Sequence, residues 1–148
     1  LDAASLSVNP FDAPGQGRVL NMGDRSNIVI EQDSNNDAPI VFYSHNDGRG
    51  IATHLQNALK RGKDRWNDAP YLARIIFCEL VQKRPLDTTG YGISTGVGDG
   101  EWNLLCVNFD EQKVKVRGSC MDHHAPVIQE WSFQEFSELA DVSKVLGR

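Results

Sequence analysis

The stretch Trp102-Asn-Leu-Leu-Cys-Val-Asn-Phe109, Asp110-Glu111, Gln112-Lys-Val-Lys-Val-Arg117 decides the fold class. Lys113, Lys115 and Arg117 alternate with Val114 and Val116. This is the period of two that marks a half-exposed antiparallel strand. Asp110-Glu111 closes a hairpin back to the strand read over residues 102–109. Residues 91–95 suit a strand on the upstream side, and residues 88–100 between them carry five of the chain's 13 glycines. That glycine-rich segment, with Asp99-Gly100 in it, reads as a second hairpin turn with glycines at positive φ. Downstream, residues 127–131 add a strand before Ser132-Phe-Gln-Glu135. There Ser132 caps a helix, Glu135 answers it, and Trp131 and Phe136 stand at the staple positions.

Further upstream, Met22-Gly-Asp-Arg-Ser-Asn-Ile-Val-Ile-Glu31 and Pro39-Ile-Val-Phe-Tyr-Ser-His45 read as two strands, with residues 32–38, rich in Asn and Asp, as their turn. Ile51, Leu55, Ala58 and Leu59 form the stripe of an amphipathic helix that stops at Gly62. Thr53, His54, Gln56, Asn57 and Lys60 lie outside that stripe. A second helix follows Asn67-Asp-Ala-Pro70 and runs over residues 71–82. Only Arg74 and Glu79 are charged between Tyr71 and Val81, which predicts a nearly enclosed core helix. The expected order is ββααβββ(β)α: an α+β fold with a mainly antiparallel sheet packed against two central helices. Residues 22–148 form one domain in this reading. Residues 1–21, with Pro10, Pro14, Gly15, Gly17 and no apolar period, form an extended N-terminal arm or leader.

At 148 residues, with 40% hydrophobic and 24% charged residues, the chain suits one domain with a real core. No apolar run reaches the ~20 residues of a membrane helix, and no basic segment followed by an apolar one opens the chain. A soluble, cytoplasmic protein is expected. A net charge of −5 argues against a broad nucleic-acid surface but leaves room for a local anion site. Cys78 and Cys106 lie in apolar contexts, where free cysteine behaves as a small hydrophobe, and a disulfide scaffold is not expected.

Three constellations could carry chemistry. Lys60, Arg61, Lys63 and Arg65, with Arg49 upstream, are the one concentrated basic patch in an acidic chain. Together with Gly90, Gly92, Ser94 and Thr95 they are the candidate ligand-binding residues, since bare backbone N–H groups and guanidinium forks suit phosphate. The competing account places Lys60 and Arg61 in the last turn of a helix, where cations complement the macrodipole. The glycine spacing matches neither a dinucleotide fingerprint nor a P-loop. Cys120-Met-Asp-His-His124 groups Cys120, Asp122, His123 and His124, weak metal candidates for want of a partner pair. No metal or cofactor is expected. Finally, His45 oriented by Asp24 could carry proton transfer, with Cys120 or Ser94 as nucleophile. No G-x-S-x-G element accompanies them.

The matching residues Met22-Gly-Asp-Arg-Ser-Asn-Ile-Val, Val41-Phe-Tyr-Ser-His45, Ala58-Leu-Lys-Arg61, Arg65-Trp-Asn-Asp68, Tyr71-Leu-Ala-Arg-Ile-Ile-Phe-Cys-Glu-Leu80, Thr88-Thr-Gly-Tyr-Gly-Ile-Ser-Thr95 and Gly98-Asp99 carry a resemblance. Over about two thirds of its length the chain resembles a family of small, uncharacterised bacterial and phage proteins. Relatives begin at the position of Met22 and carry Trp after the strand-end His, where this chain has Asn46-Asp47-Gly48. The resemblance implies a bacterial or phage origin and a single small domain, with no activity to transfer. The expectation is a binding or accessory protein that sequesters a small anionic, nucleotide-like ligand or a host protein. The alternative is a small hydrolase built on His45. The lack of a recognisable catalytic spacing favours binding, and a homo-oligomer is compatible with either.

Overall fold

The computed structural model describes residues 23–31 and 39–147. The chain forms β1 (Ser26–Glu31), β2 (Ile40–Ser44), α1 (Ile51–Arg61), α2 (Ala69–Val81), β3 (Tyr91–Ser94), β4 (Leu104–Asn108), β5 (Lys113–Arg117), β6 (Val127–Ser132) and α3 (Phe133–Ser137). Single 3-10 turns at Gly48–Gly50 and Lys63–Arg65 precede α1 and α2. The class is α+β. The N-terminal arm expected over residues 1–21 and the turn expected over 32–38 lie outside the described residues.

All six strands join one sheet in the spatial order β3-β2-β1-β4-β5-β6. Strands β1 and β2 pair antiparallel with Val29 opposite Val41, β4 and β5 with Leu105 opposite Val116, and β5 and β6 with Val114 opposite Trp131. The glycine-rich segment corrects the expectation. It is not a hairpin turn, because β3 pairs with β2 (Phe42 opposite Ile93) and β4 lies parallel to β1 (Val29 opposite Cys106). The sheet is therefore mixed, though mostly antiparallel. Burial explains the order. Every residue of β1 and of β4 is buried, and a strand apolar on both faces belongs in the middle of a sheet. Tyr91-Gly-Ile-Ser94 is part-exposed and contains Gly92, with no side chain to pack, so it suits an edge. Of the glycines in residues 88–100, only Gly90 has positive φ.

One face of the sheet carries all three helices. Ile28, Ile30, Leu105 and Val107 from the central strands meet Leu55 and Leu59 of α1, Leu72 and Ile76 of α2, and Phe133 and Phe136 of α3. The four stripe residues of α1 have no exposure at all. Gln56, expected outside that stripe, is buried. Its Nε2 donates to the carbonyls of Phe136 (3.1 Å) and Leu139 (2.8 Å), tying α1 to the end of α3. The enclosed core helix is also corrected: α2 buries Leu72, Ile76, Glu79 and Leu80, but Ile75 is half-buried and Tyr71 is 51% exposed. It flanks α1, which packs against both α2 and α3. A long apolar run here serves a rim position, where residues such as Ile75 and Phe77 are only partly covered.

On the opposite face, Val29, Val41, Leu104 and Cys106 form a second buried cluster against which Val97 packs. Glu31 is buried beside it. Its carboxylate accepts from Arg117 at 2.9 Å and from Asn108 at 3.1 Å, with Lys115 at 3.9 Å. Burial, reinforced by the charge of Glu31, pushes the Cys106 thiol up to about 12. The capping box forms as its residues specify: Ser132 Oγ accepts from Glu135 N at 3.0 Å and Glu135 Oε1 from Ser132 N at 2.8 Å. Trp131 packs edge-on against Phe136 at 5.4 Å. Among the described residues, no helix is long and apolar enough to cross a membrane.

Candidate functional site

The register brings three chain segments to one end of the sheet. Ser26 faces Ser44, which faces Tyr91, so the start of β1, the end of β2 and the start of β3 converge there. The loop 45–50 leaves β2 at this end and is bonded on every side. Asp24 N donates to His45 O (3.0 Å), Gly48 N to Asp24 O (2.6 Å), and His45 N to Gly90 O (2.9 Å). Ser44 Oγ accepts from Asp47 N at 3.1 Å. The Asp24 carboxylate accepts from the Trp102 indole N–H and from Arg49 N. Backbone and ring atoms leave no room for a side chain at Gly48, and one at Gly50 would have to move the Asp47 carboxylate. A Cβ on Gly48 would lie 2.7 Å from Asp24 O and from the Trp102 ring.

This loop presents Asp47 to two partners on different elements. Its Oδ2 accepts from His54 Nε2, in the first turns of α1, at 2.7 Å and from the Tyr91 hydroxyl, at the start of β3, at 3.2 Å. The bond from His54 holds the Asp47 carboxyl below its ordinary value, outweighing partial burial, with help from Tyr91 and the field of Lys83. Burial, and then the Asp47 charge, push the Tyr91 hydroxyl up to about 12. Asp47 is thus ionised and Tyr91 neutral across the physiological range. The other ring nitrogen of His54, Nδ1, is buried and has no partner among the described residues.

Asp47, His54 and Tyr91 form one side of a cavity of about 230 Å³. Leu80 and Val81, at the end of α2, supply apolar wall, and Lys83 and Arg84 in the segment that follows supply cations. The Arg84 guanidinium pairs with Asp87 at 3.2 Å, with both side chains exposed. Such surface pairs contribute little and yield readily to a competing anion.

The catalytic candidates go elsewhere. His45 Nδ1 meets the Tyr43 hydroxyl at 3.0 Å, and Ser94 Oγ accepts from Gly96 N at 3.0 Å. Cys120 is half-buried in a loop outside the helices and strands. The basic patch is largely engaged within the chain. Arg61 binds Glu79 (2.8 Å) and the Ile75 carbonyl; Arg65 lies 3.7 Å from Asp68 and over the Tyr71 ring; Lys63 lies over Trp66; Arg49 reaches Asp24 at 3.4 Å. Lys60 is exposed on the last turn of α1. Gly90 and Gly92 flank Tyr91, and Gly92 and Ser94 line a second, shallower hollow with Tyr43 and Asp99; Thr95 follows the end of β3. In the loop 119–124, Asp122 Oδ1 accepts from His124 N, and Ser119 Oγ from Met121 N and Asp122 N. The His123 and His124 rings lie 4.2 Å apart. Among the described residues, no group of three or more His, Cys, Asp or Glu side chains is placed to hold a metal ion.

Sequence reasoning missed Asp47, His54, Tyr91, Lys83 and Arg84. A faint signal existed: two glycines crowd Asp47 in Asp47-Gly-Arg-Gly50, two more crowd Tyr91, and His54 borders the apolar stripe of α1. No protein-family model, curated protein or solved structure matches the chain. The family resemblance accordingly rests on the residues quoted for it above.

Proposed function

We propose that this chain is a binding protein for a small anionic ligand, received in the cavity between Asp47-His54-Tyr91 and the Lys83-Arg84 segment. The observation that carries the reading is the orientation of His54. In Ser-His-Asp chemistry one ring nitrogen faces the carboxylate while the other takes the nucleophile's proton. Here Nε2 faces Asp47, but Nδ1 is buried, with no nucleophile beside it among the described residues. The pair makes a fixed polar wall and no general base. The two cations at the rim supply the attraction for an anion, and the apolar wall supplies area for the remainder of the ligand.

Thermal-shift titration with inorganic phosphate, cyclic nucleotides and dinucleotides tests this. A ligand at ~100 times its dissociation constant stabilises by ~2.7 kcal/mol. That gain is expected to vanish in Lys83→Glu/Arg84→Glu and to persist in Arg61→Glu/Arg65→Glu. Equal stabilisation of the parent and Lys83→Glu/Arg84→Glu would place binding elsewhere. Hydrolysis of nitrophenyl esters that disappears in His45→Ala would overturn the binding reading in favour of catalysis.

A further inference from the structure

We infer that the ligand of this cavity is bipolar, carrying an anionic group, an ammonium or amino donor, and a short apolar portion. The inference rests on the cavity being the binding site. Its lining carries both signs of charge: Asp47 on the loop after β2, Lys83 and Arg84 in the segment after α2. The Asp47 side chain keeps 39% of its surface open although Oδ2 already accepts two hydrogen bonds. A carboxylate offers about four lone-pair positions, so acceptor capacity is left over. A purely anionic molecule would bring like charge against that carboxylate in a cavity of about 230 Å³. A donor on the same molecule turns the repulsion into a charge-assisted hydrogen bond. The hydrogen bond from His54 is the main cause that holds the Asp47 carboxyl low, and the field of Lys83 adds a smaller share. Leu80 and Val81 add apolar lining, which suits methylene groups or a ring edge. The volume falls below the ~300–1,000 Å³ of drug-sized sites, which favours a compact molecule over a dinucleotide.

The test is isothermal titration of the full chain with ω-amino acids from glycine to 6-aminohexanoate, each beside the carboxylate and the amine of matching length. At least one amino acid is expected to bind tenfold or more tightly than both its carboxylate and its amine. Asp47→Asn should remove that advantage while leaving carboxylate binding equal or stronger. Because Asp47 also orients its loop, Lys83→Gln is the second variant, expected to weaken amino acid and carboxylate together. If no amino acid exceeds its carboxylate, the bipolar inference fails, and phosphate or nucleotide binding judges the anion-binding reading separately. If amines bind as tightly as amino acids and Lys83→Gln changes nothing, both fail.

Discussion

Gln56→Glu is an isosteric exchange of one buried amide for a carboxyl, and its cost follows from what Gln56 touches. The amide nitrogen donates to Phe136 O and Leu139 O; Phe136 O also accepts from Leu139 N at 3.3 Å. The exchange therefore strips one carbonyl of its donor, weakens the satisfaction of a second, and sets an acceptor against both. Two lost hydrogen bonds at about 1 kcal/mol each, plus about 1–3 kcal/mol for a buried acceptor left unmet, give about 3–5 kcal/mol at neutral pH. That is a large part of a total stability of ~5–15 kcal/mol. Burial raises the pKa of the introduced carboxyl in the folded state above its unfolded value of ~4.3. The protonated form can donate, so the deficit grows as pH rises through the folded pKa and shrinks toward pH 4. Urea unfolding at pH 4.5 and 7.5, followed by tryptophan fluorescence, measures both quantities. Gln56→Ala is the control: it loses the same two bonds and leaves the same carbonyl unmet, so it is expected to cost about 3–5 kcal/mol with no comparable pH dependence. If Gln56→Glu lies within about 0.5 kcal/mol of the parent at pH 7.5, or its deficit does not shrink in acid, the tie between α1 and α3 is not as described.

Gly48→Ala should cost about 1–3 kcal/mol in the same assay, because its Cβ must displace Asp24 or Trp102, whereas Gly96→Ala, with no atom within 4 Å of its Cβ, should be near neutral. The raised Tyr91 hydroxyl contributes stability that is whole below pH ~10 and lost as pH rises to about 12. Alkaline unfolding of the parent should accordingly be steeper over that window than that of Tyr91→Phe, and identical slopes would contradict the Asp47–Tyr91 contact. Cys106, with its thiol near 12 and no exposure, should resist aromatic disulfide reagents at pH 8 until the chain unfolds. Peptide mapping that finds Cys106 modified in the folded protein would argue against the second buried cluster.

What was legible in the sequence was local. The stripe of α1, the Lys113–Arg117 alternation and the Ser132–Glu135 box each depend on residues within a turn or a strand of one another, and each appears where its pattern put it. The sheet order was only half legible. Ile28-Val-Ile30 and Leu104-Leu-Cys-Val107 are unbroken apolar runs of the kind central strands need, but a run does not name its neighbour. Glycine content misled the reading of residues 88–100, since the same residues serve a tight hairpin and a long connection to another strand. The cavity was illegible for a related reason. Asp47 and His54 are 7 positions apart and Asp47 and Tyr91 are 44 apart, and only the β2–β3 pairing, invisible to local pattern, seats Tyr91 against the loop. Gln56 escaped because its partners are backbone carbonyls 80 and 83 positions away, which leave no mark in composition.

The parallel pairing of β1 with β4 also divides the chain's assembly in two. Strands β3-β2-β1 with α1 and α2 form one contiguous stretch, and β4-β5-β6 with α3 form another, so each half can close through nearby contacts. The seam between them requires residues such as Glu31 and Asn108, 77 positions apart, to find each other, and is expected to be the slow step of folding. Glu31 makes that step selective. A one-residue slip along the seam would exchange the faces of β1 and carry a buried carboxylate away from Arg117 and Asn108, leaving a charge with neither water nor partner. The ion cluster thus penalises any docking of the two halves that parts Glu31 from Arg117 and Asn108. Separately expressed fragments cut between Ser94 and Leu104 should reassociate if this holds, and Glu31→Leu should let them do so with looser register.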